Sequence, residues 1–441
     1  MKSEPDLPFC CTHASAFAGT GSSFRGPLLL IILSCWGTAQ SGFGQADVRE
    51  SMAGPSGADA LRKKIAAEEY NLQYGPVRFQ TEARLGGGYT DNVFYSDNNR
   101  QHDWVVNPEV NLKAWMPVSQ LNVLRLSLGL GYEWYADHHV LNSDRPLVSP
   151  DTELDFHIFV GDFRIRLRER FSYEESLFIN SAAGESAHFF NFNNVGKFAR
   201  LDNLAGGTVD WDLNKVILSA GYDHENFKAF TDQFKYLNRA SELMSASANV
   251  LLGDKAKTGV EGQASWNDYD TETVLNDHWR ATAGPFAEMA FRGGISVRGG
   301  GGYATAKYDA AARDSDYNTY YAYGRIRQDT RLFTHSVTAG RETVLGDNAN
   351  NLRSTYVRYS IVSPAVAHVE LGASFTVNFA KEFGGPFHED FTYYRPGAHI
   401  GYQFAKYWRT DLAYEYFMKD SDLALRDFKR NRVSWDVTFQ F

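Results

Sequence analysis

Arg164, Arg166, Arg168 and Arg170 recur at every second position of one short stretch. Alternate residues of an extended strand share a face, so the four guanidinium groups would stack along one wall. There they could attract anions or orient water. Glu153 and Asp155 lie on the preceding segment and could instead pair with them, so anion steering and plain charge satisfaction are both open. Arg325 and Arg327 repeat the spacing, and Glu109 and Asp155 are acids on the same parity, which makes that wall mixed in charge and wet.

Other groups suggest chemistry less well. Serines combined with His138, His139, His157 or His188 raise acyl transfer, but no pair has a spacing that selects nucleophile and base. His138 and His139 are adjacent and point opposite ways in an extended chain, which argues against a metal site. Gly299 to Gly302 lacks the Lys and Ser/Thr of a phosphate loop; close strand packing or local bending is the expectation. Asp268-Tyr269-Asp270 with Glu272, and Asp314-Ser315-Asp316, read as solvated loop tips or as sites for divalent cations. The reading is of a protein with no catalysis, no resident metal and no cofactor.

Composition narrows the class. The chain has 441 residues with 9 Trp, 24 Tyr and 31 Phe, and a net charge of -9 gives no basic excess for nucleic acid. Outside Leu28 to Trp36 no apolar run approaches the roughly 18 residues of a spanning helix. That run follows Lys2 and Arg25 and precedes small residues, so 1–46 reads as a secretory signal peptide with cleavage after Ala46. Cleavage after Ala39 and a lipoprotein box at Ile32 to Cys35 are alternatives. Cys10, Cys11 and Cys35 all fall in that leader, so the mature chain would carry no thiol into an oxidising compartment. Residues 47–76 read as a periplasmic arm with a short helix capped by Asp59, carrying Leu61, Ile65 and Leu72 on one face and stopped by Pro76.

From Val77 to Phe441 the apolar period is two. End segments at 77–85 and 432–441 enclose others near 103–116, 121–136, 152–161, 163–173, 203–213, 216–226, 239–252, 255–268 and 278–290. The series continues near 295–308, 318–328, 332–343, 353–362, 366–379, 391–404 and 407–418, eighteen segments in all. Most exceed the roughly 5–6 residues of a soluble strand and match the roughly 9–11 of a tilted membrane strand. Tight connections alternate with long polar ones. Trp104, Trp134, Trp211, Trp266, Trp279, Trp408 and Trp435 rim the apolar face, as at a membrane interface. A soluble sandwich would have shorter strands and no such alternation. The expected fold is an all-β, antiparallel, up-and-down transmembrane β-barrel of about 18 strands (16–18), with short periplasmic turns and long extracellular loops.

The last strand, Trp435-Asp436-Val437-Thr438-Phe439-Gln440-Phe441, resembles the end of Gram-negative outer-membrane β-barrel proteins. The resemblance implies that Trp435, Val437, Phe439 and Phe441 form the signal read by the barrel-assembly machinery. The opening strand followed by Gly86-Gly87-Gly88-Tyr89-Thr90-Asp91-Asn92-Val93-Phe94 is similar to the starts of porin-like barrels, some of which lie near exopolysaccharide-export genes. The implied location is the cell outer membrane, with lipid and lipopolysaccharide as partners, a homo-oligomer left open and no nucleic acid.

Barrel diameter grows with strand number, and about 16–18 strands leave an aqueous lumen. The longest connection, Glu174 to Asp202, ranks third among the long loops. In well-known porins the third long loop folds inward and narrows the channel. By that resemblance His188, Phe189, Phe190 and Asn191 would form a constriction; a cap over the outer mouth is the alternative. The expected function is passive diffusion of small hydrophilic solutes or ions, the alternative being a barrel that serves a polysaccharide-export or secretion assembly.

Overall fold

The structure is a computed structural model describing residues 70–119, 122–177, 189–253, 255–366 and 368–441. The expected signal peptide and most of the expected arm lie outside these. Leu72, expected on a helix face, instead sits in the short strand Leu72–Tyr74, which folds back on the first long strand through Gly75.

Eighteen long strands follow. They are β1 (Val77–Thr90), β2 (Asp103–Pro117), β3 (Val123–Gly131), β4 (Glu153–Val160), β5 (Phe163–Glu174), β6 (Arg200–Asp212), β7 (Val216–Ala229), β8 (Arg239–Leu251) and β9 (Ala256–Tyr269). Then come β10 (His278–Ala290), β11 (Ile295–Tyr308), β12 (Tyr317–Asp329), β13 (Thr334–Leu345), β14 (Asn351–Val366), β15 (Val369–Phe383), β16 (Glu389–Ala405), β17 (Trp408–Ser421) and β18 (Phe428–Gln440). Each pairs antiparallel with its chain neighbours, and β18 returns to β1 with Glu82 opposite Gln440 and Thr90 opposite Arg432. The sheet is thus a closed up-and-down barrel, which leaves no unpaired edge.

Connections are short at one rim and long at the other. The short ones need backbone that turns tightly: Gly161 and Asn214 take φ of +55° and +76°, values that Gly adopts at no cost and Asn tolerates. The segment expected at 121–136 is interrupted after Gly131 and resumes as Trp134–Tyr135 in the same register on β2. Opposite the gap stands Pro108, which has no N–H to donate and only accepts from Tyr132 N at 3.1 Å. Tyr132 and Trp134 still stack outside, 5.6 Å apart, so the alternation runs through the interruption.

The two faces differ as the alternation demands. Outward residues such as Val110, Val260, Ile326, Phe379 and Leu412 are exposed, while inward Arg168, Asp223, Glu261 and Arg298 are buried among one another. On β16 the outward Tyr394 and Phe404 lie about 33 Å apart along the strand, or about 25 Å along the axis at a tilt of about 40°. Gly299 to Gly302 lies within β11, where a Cβ on Gly302 would collide with the backbone of Ala283 and Gly284. Close strand approach, not phosphate binding, accounts for that run.

Candidate functional site

All four residues of the arginine series face the lumen from β5. Arg166 donates from Nε to Asp155 at 2.6 Å and from Nη2 to Glu153 at 2.6 Å. Arg168 reaches over β6, where its register partner is Gly206, and forks onto Asp223 of β7 at 3.0 and 2.8 Å. A Cβ on Gly206 would occupy the space that Asp223 fills, so the glycine permits the bridge. Arg164 stands opposite Asp210, and Arg170 opposite Glu153. The series is therefore embedded in a two-sided lattice with acids. Glu109 accepts from Arg84 at 2.9 Å, and Arg84 also holds Asp436 across the closure of the barrel.

Arg325 lies elsewhere on the wall, in a row set by register alone. Arg298 is opposite Arg325, Arg325 opposite Thr338, Thr338 opposite Arg358, Arg358 opposite Thr376, and Thr376 opposite Arg395. Arg298 is held by Glu261 at 3.3 Å and Glu288 at 3.1 Å, and Arg395 by Glu415 at 2.6 Å. Arg358 stacks over Tyr356, 4.4 Å from the ring centroid, and its buried Nε and Nη1 have no hydrogen-bond partner among the described residues. Arg327 sits near the short-turn rim, paired with Asp329 at 2.9 Å.

The long connection from β5 to β6 packs against inward-facing side chains near the long-loop rim. Phe189, Phe190, Phe192 and Phe198 are buried with Tyr95, Phe227, Phe234, Phe417 and Phe428, side chains contributed by several other strands and loops. Phe192 and Phe234 stack at 4.2 Å between centroids, and Phe190 meets Phe198 edge-on at 4.8 Å. Asn191 then crosses to the opposite wall. Its amide donates to Glu382 at 3.0 Å and to Glu389 at 2.5 Å, and its backbone N–H donates to Asp347 at 2.8 Å. Lys419 donates to its side-chain oxygen, while Asn348 and Arg426 donate to its carbonyl, each at 2.8 Å. Tyr236 braces the same loop cluster through Asp347 O at 3.0 Å, and burial pushes its hydroxyl pKa up. His188, the fourth residue expected here, lies outside the described residues.

No family model matches the sequence, and no curated protein matches it. Among solved structures the chain is similar to the outer membrane protein OpdK from Pseudomonas aeruginosa, at 11% identity over 82% of this chain and 99% of that one, TM-score 0.47. It is also similar to a BenF-like porin from Pseudomonas fluorescens Pf-5, at 11% identity over 82% and 99%, TM-score 0.49. A third similar structure is Pseudomonas aeruginosa OccK2 (OpdF) in complex with glucuronate, at 10% identity over 83% and 98%, TM-score 0.48.

Trp435, Val437 and Phe439 face outward on β18, and Phe439 packs on Trp408 and Phe441 at 4.6 and 4.7 Å between ring centroids. Phe441 closes the chain with its N–H on Thr81 O at 3.2 Å. Of the candidate histidines, His138 meets Asp103 through Nδ1 at 2.8 Å, but its Nε2 is taken by the amide oxygen of Gln101 rather than by a hydroxyl. His157 is buried on the lumen face of β4. The residues missed in the sequence are Asp347, Glu382, Glu389 and Lys419, the far-wall anchors of Asn191. Glu382, Glu389 and Lys419 carry the inward parity of β15, β16 and β17 but lie beyond the ends expected for those strands.

Proposed function

We propose that this chain spans the outer membrane as a porin-like channel, not an enzyme, through which small hydrophilic solutes diffuse, with anions favoured over cations. The outward apolar face and its aromatic residues support the membrane-spanning part. One observation carries the preference: Arg358 lies on the lumen face of β14, within the row of Arg298, Arg325 and Arg395, with no carboxylate bound to it among the described residues. Arg298 and Arg395 are matched by acids, whereas the described residues set no acid against Arg358, so its charge adds a net positive potential to this part of the wall. The inward loop, held by Asn191, sets the width of the path beside this row.

Planar-bilayer recording of the purified chain tests both parts. Stable conductance with a reversal potential on the anion side is expected, and Arg358→Gln should move that potential toward zero. A chain that inserts but never conducts overturns the channel reading and favours the export or secretion assembly.

A further inference from the structure

The seam between β12 and β13 stays open near the long-loop rim. β12 and β13 pair from Asp329 opposite Thr334 up to Ala322 opposite Arg341, and no further. β12 nevertheless continues against β11 as far as Tyr317, and β13 continues against β14 as far as Leu345. The two strands therefore part above Ala322. The notch is bridged at its top by Asn350 and Asn351, whose amides donate to Ser315 Oγ at 2.8 Å and Ser315 O at 3.0 Å. From the lumen side Arg280 fills it, donating to Tyr317 Oη at 3.1 Å and to Thr343 O.

The outside of this notch carries two arginines. Arg341 is in register with Ala322 and Thr355, and Arg353 with Thr343 and Lys381; this is the parity of the exposed Ile326, Val357 and Phe379. Arg341 lies over the Tyr320 ring at 4.4 Å and Arg353 over the Phe383 ring at 4.8 Å. The two are diagonal neighbours across the β13–β14 pair, so their like charges are set side by side. Among the described residues neither makes a hydrogen bond or an ion pair, and the Nε of each is buried without a partner. Neighbouring outward lysines are different: Lys307 is bound to Asp316 at 2.8 Å and Lys381 to Asp390 at 2.9 Å.

Two like charges held side by side on an apolar wall lack the acid that would offset them. We infer that Arg341 and Arg353 form a binding site for the phosphate group of an anionic glycolipid, of the lipopolysaccharide type, in the leaflet facing the long-loop rim. Guanidinium forks match phosphate oxygens, and an arginine facing lipid costs only about 0–1 kcal/mol near the interface. Tyr320, Val357 and Phe379 lie beside the arginines on the same outward surface and offer an apolar bed for acyl chains. The approach is from the membrane side, which selects a lipid over a soluble phosphate. This inference rests on the membrane-spanning part of the proposed function and is independent of what the lumen conducts.

The test is retention of lipopolysaccharide by the detergent-purified full chain, read by native mass spectrometry. The wild type should keep it through detergent exchange, and R341Q/R353Q should bind it at least tenfold more weakly while K381Q binds as the wild type does. R341K/R353K, which keeps the charge, should retain part of the affinity and covers the case in which the glutamine pair fails to fold. Removing the lipid's phosphates should abolish the difference between wild type and R341Q/R353Q, and millimolar inorganic phosphate alone should not displace the lipid. Equal retention by wild type and R341Q/R353Q, or an equal loss in K381Q, overturns the site. So does displacement by inorganic phosphate, or a wild-type oligomer that R341Q/R353Q converts to monomer, which would make a second copy of the chain the occupant. A chain that stays dispersed in buffer without detergent overturns the membrane reading itself, and conductance measured on the same variants keeps that failure distinct.

Discussion

Asn191→Ala should release the inward loop. The substitution removes two amide hydrogen bonds, to Glu382 and Glu389, and one acceptor for Lys419. Each is a bond to an ionisable buried group, worth about 1.5–3 kcal/mol. The losses do not simply add, because Lys419 keeps Glu389 at 2.6 Å and Asn348 still serves Glu382 at 3.1 Å. A net cost of about 3–5 kcal/mol follows. At about 1.4 kcal/mol per tenfold, the ratio of docked to released loop falls by roughly two orders of magnitude or more. Amide hydrogen exchange reads this directly at Phe190, whose N–H bonds Leu177 O at 3.1 Å, and at Phe198, bonded to Glu175 O at 2.8 Å. Exchange there should accelerate by about a hundredfold, and single-channel currents should become larger and noisier. Protection within about threefold of the wild type would refute the argument and assign the docking to the phenylalanine cluster alone.

Three further outcomes are expected. Asp277 lies in the loop between β9 and β10, where burial, with the negative charges of Asp268 and Glu272, raises its carboxyl pKa to about 6. Its protonated form is favoured by the fold, so that contribution is full below about pH 4 and is lost as pH rises through about 6. The urea midpoint in detergent should fall over that window, and Asp277→Asn should flatten the profile; the Tyr269 N–H, which bonds Asp277 Oδ1 at 2.7 Å, favours the ionised carboxyl and limits the fall. Gly302→Val forces a side chain onto the backbone of Ala283 and Gly284 and should cost about 1–3 kcal/mol or more, seen as a lower urea midpoint in detergent. Deleting Phe441 removes a ring that packs on Phe439 and should cut the folded yield in cells more than refolding from urea into detergent; an equal loss in both would locate the role in closure of the barrel, not in recognition by the assembly machinery.

The period of two was enough to read the number of strands, because lipid-facing and lumen-facing residues alternate wherever the wall is coated by an apolar medium. The same reasoning explains where it fell short. The expected strands ended at 85, 226, 379 and 418, whereas β1, β7, β15 and β17 run on to Thr90, Ala229, Phe383 and Ser421, all at the long-loop rim. There both faces meet polar surroundings, the apolar alternation vanishes, and pairing alone continues the strand. Glu382 and Lys419 sit in those extensions and Glu389 in the added first residues of β16, at 191, 228 and 198 positions from Asn191 respectively. Local spacing carries no trace of such partners. Rank and length of the loop were legible; its landing place was not. The arginine series was legible as a face, but its bridge to Asp223 depends on Gly206 lacking a side chain, a fact visible only once β6 stands between β5 and β7.

The loop that carries Asn191 leaves one side of the cylinder between β5 and β6 and is fastened to the other at Asp347, Glu382 and Glu389. A wide tube walled by a single sheet has little to stop it from flattening into an ellipse when the surrounding bilayer compresses it. This cross-member ties two opposite sectors of the wall together near the long-loop rim, so a barrel set in a membrane as proposed would resist flattening at that mouth.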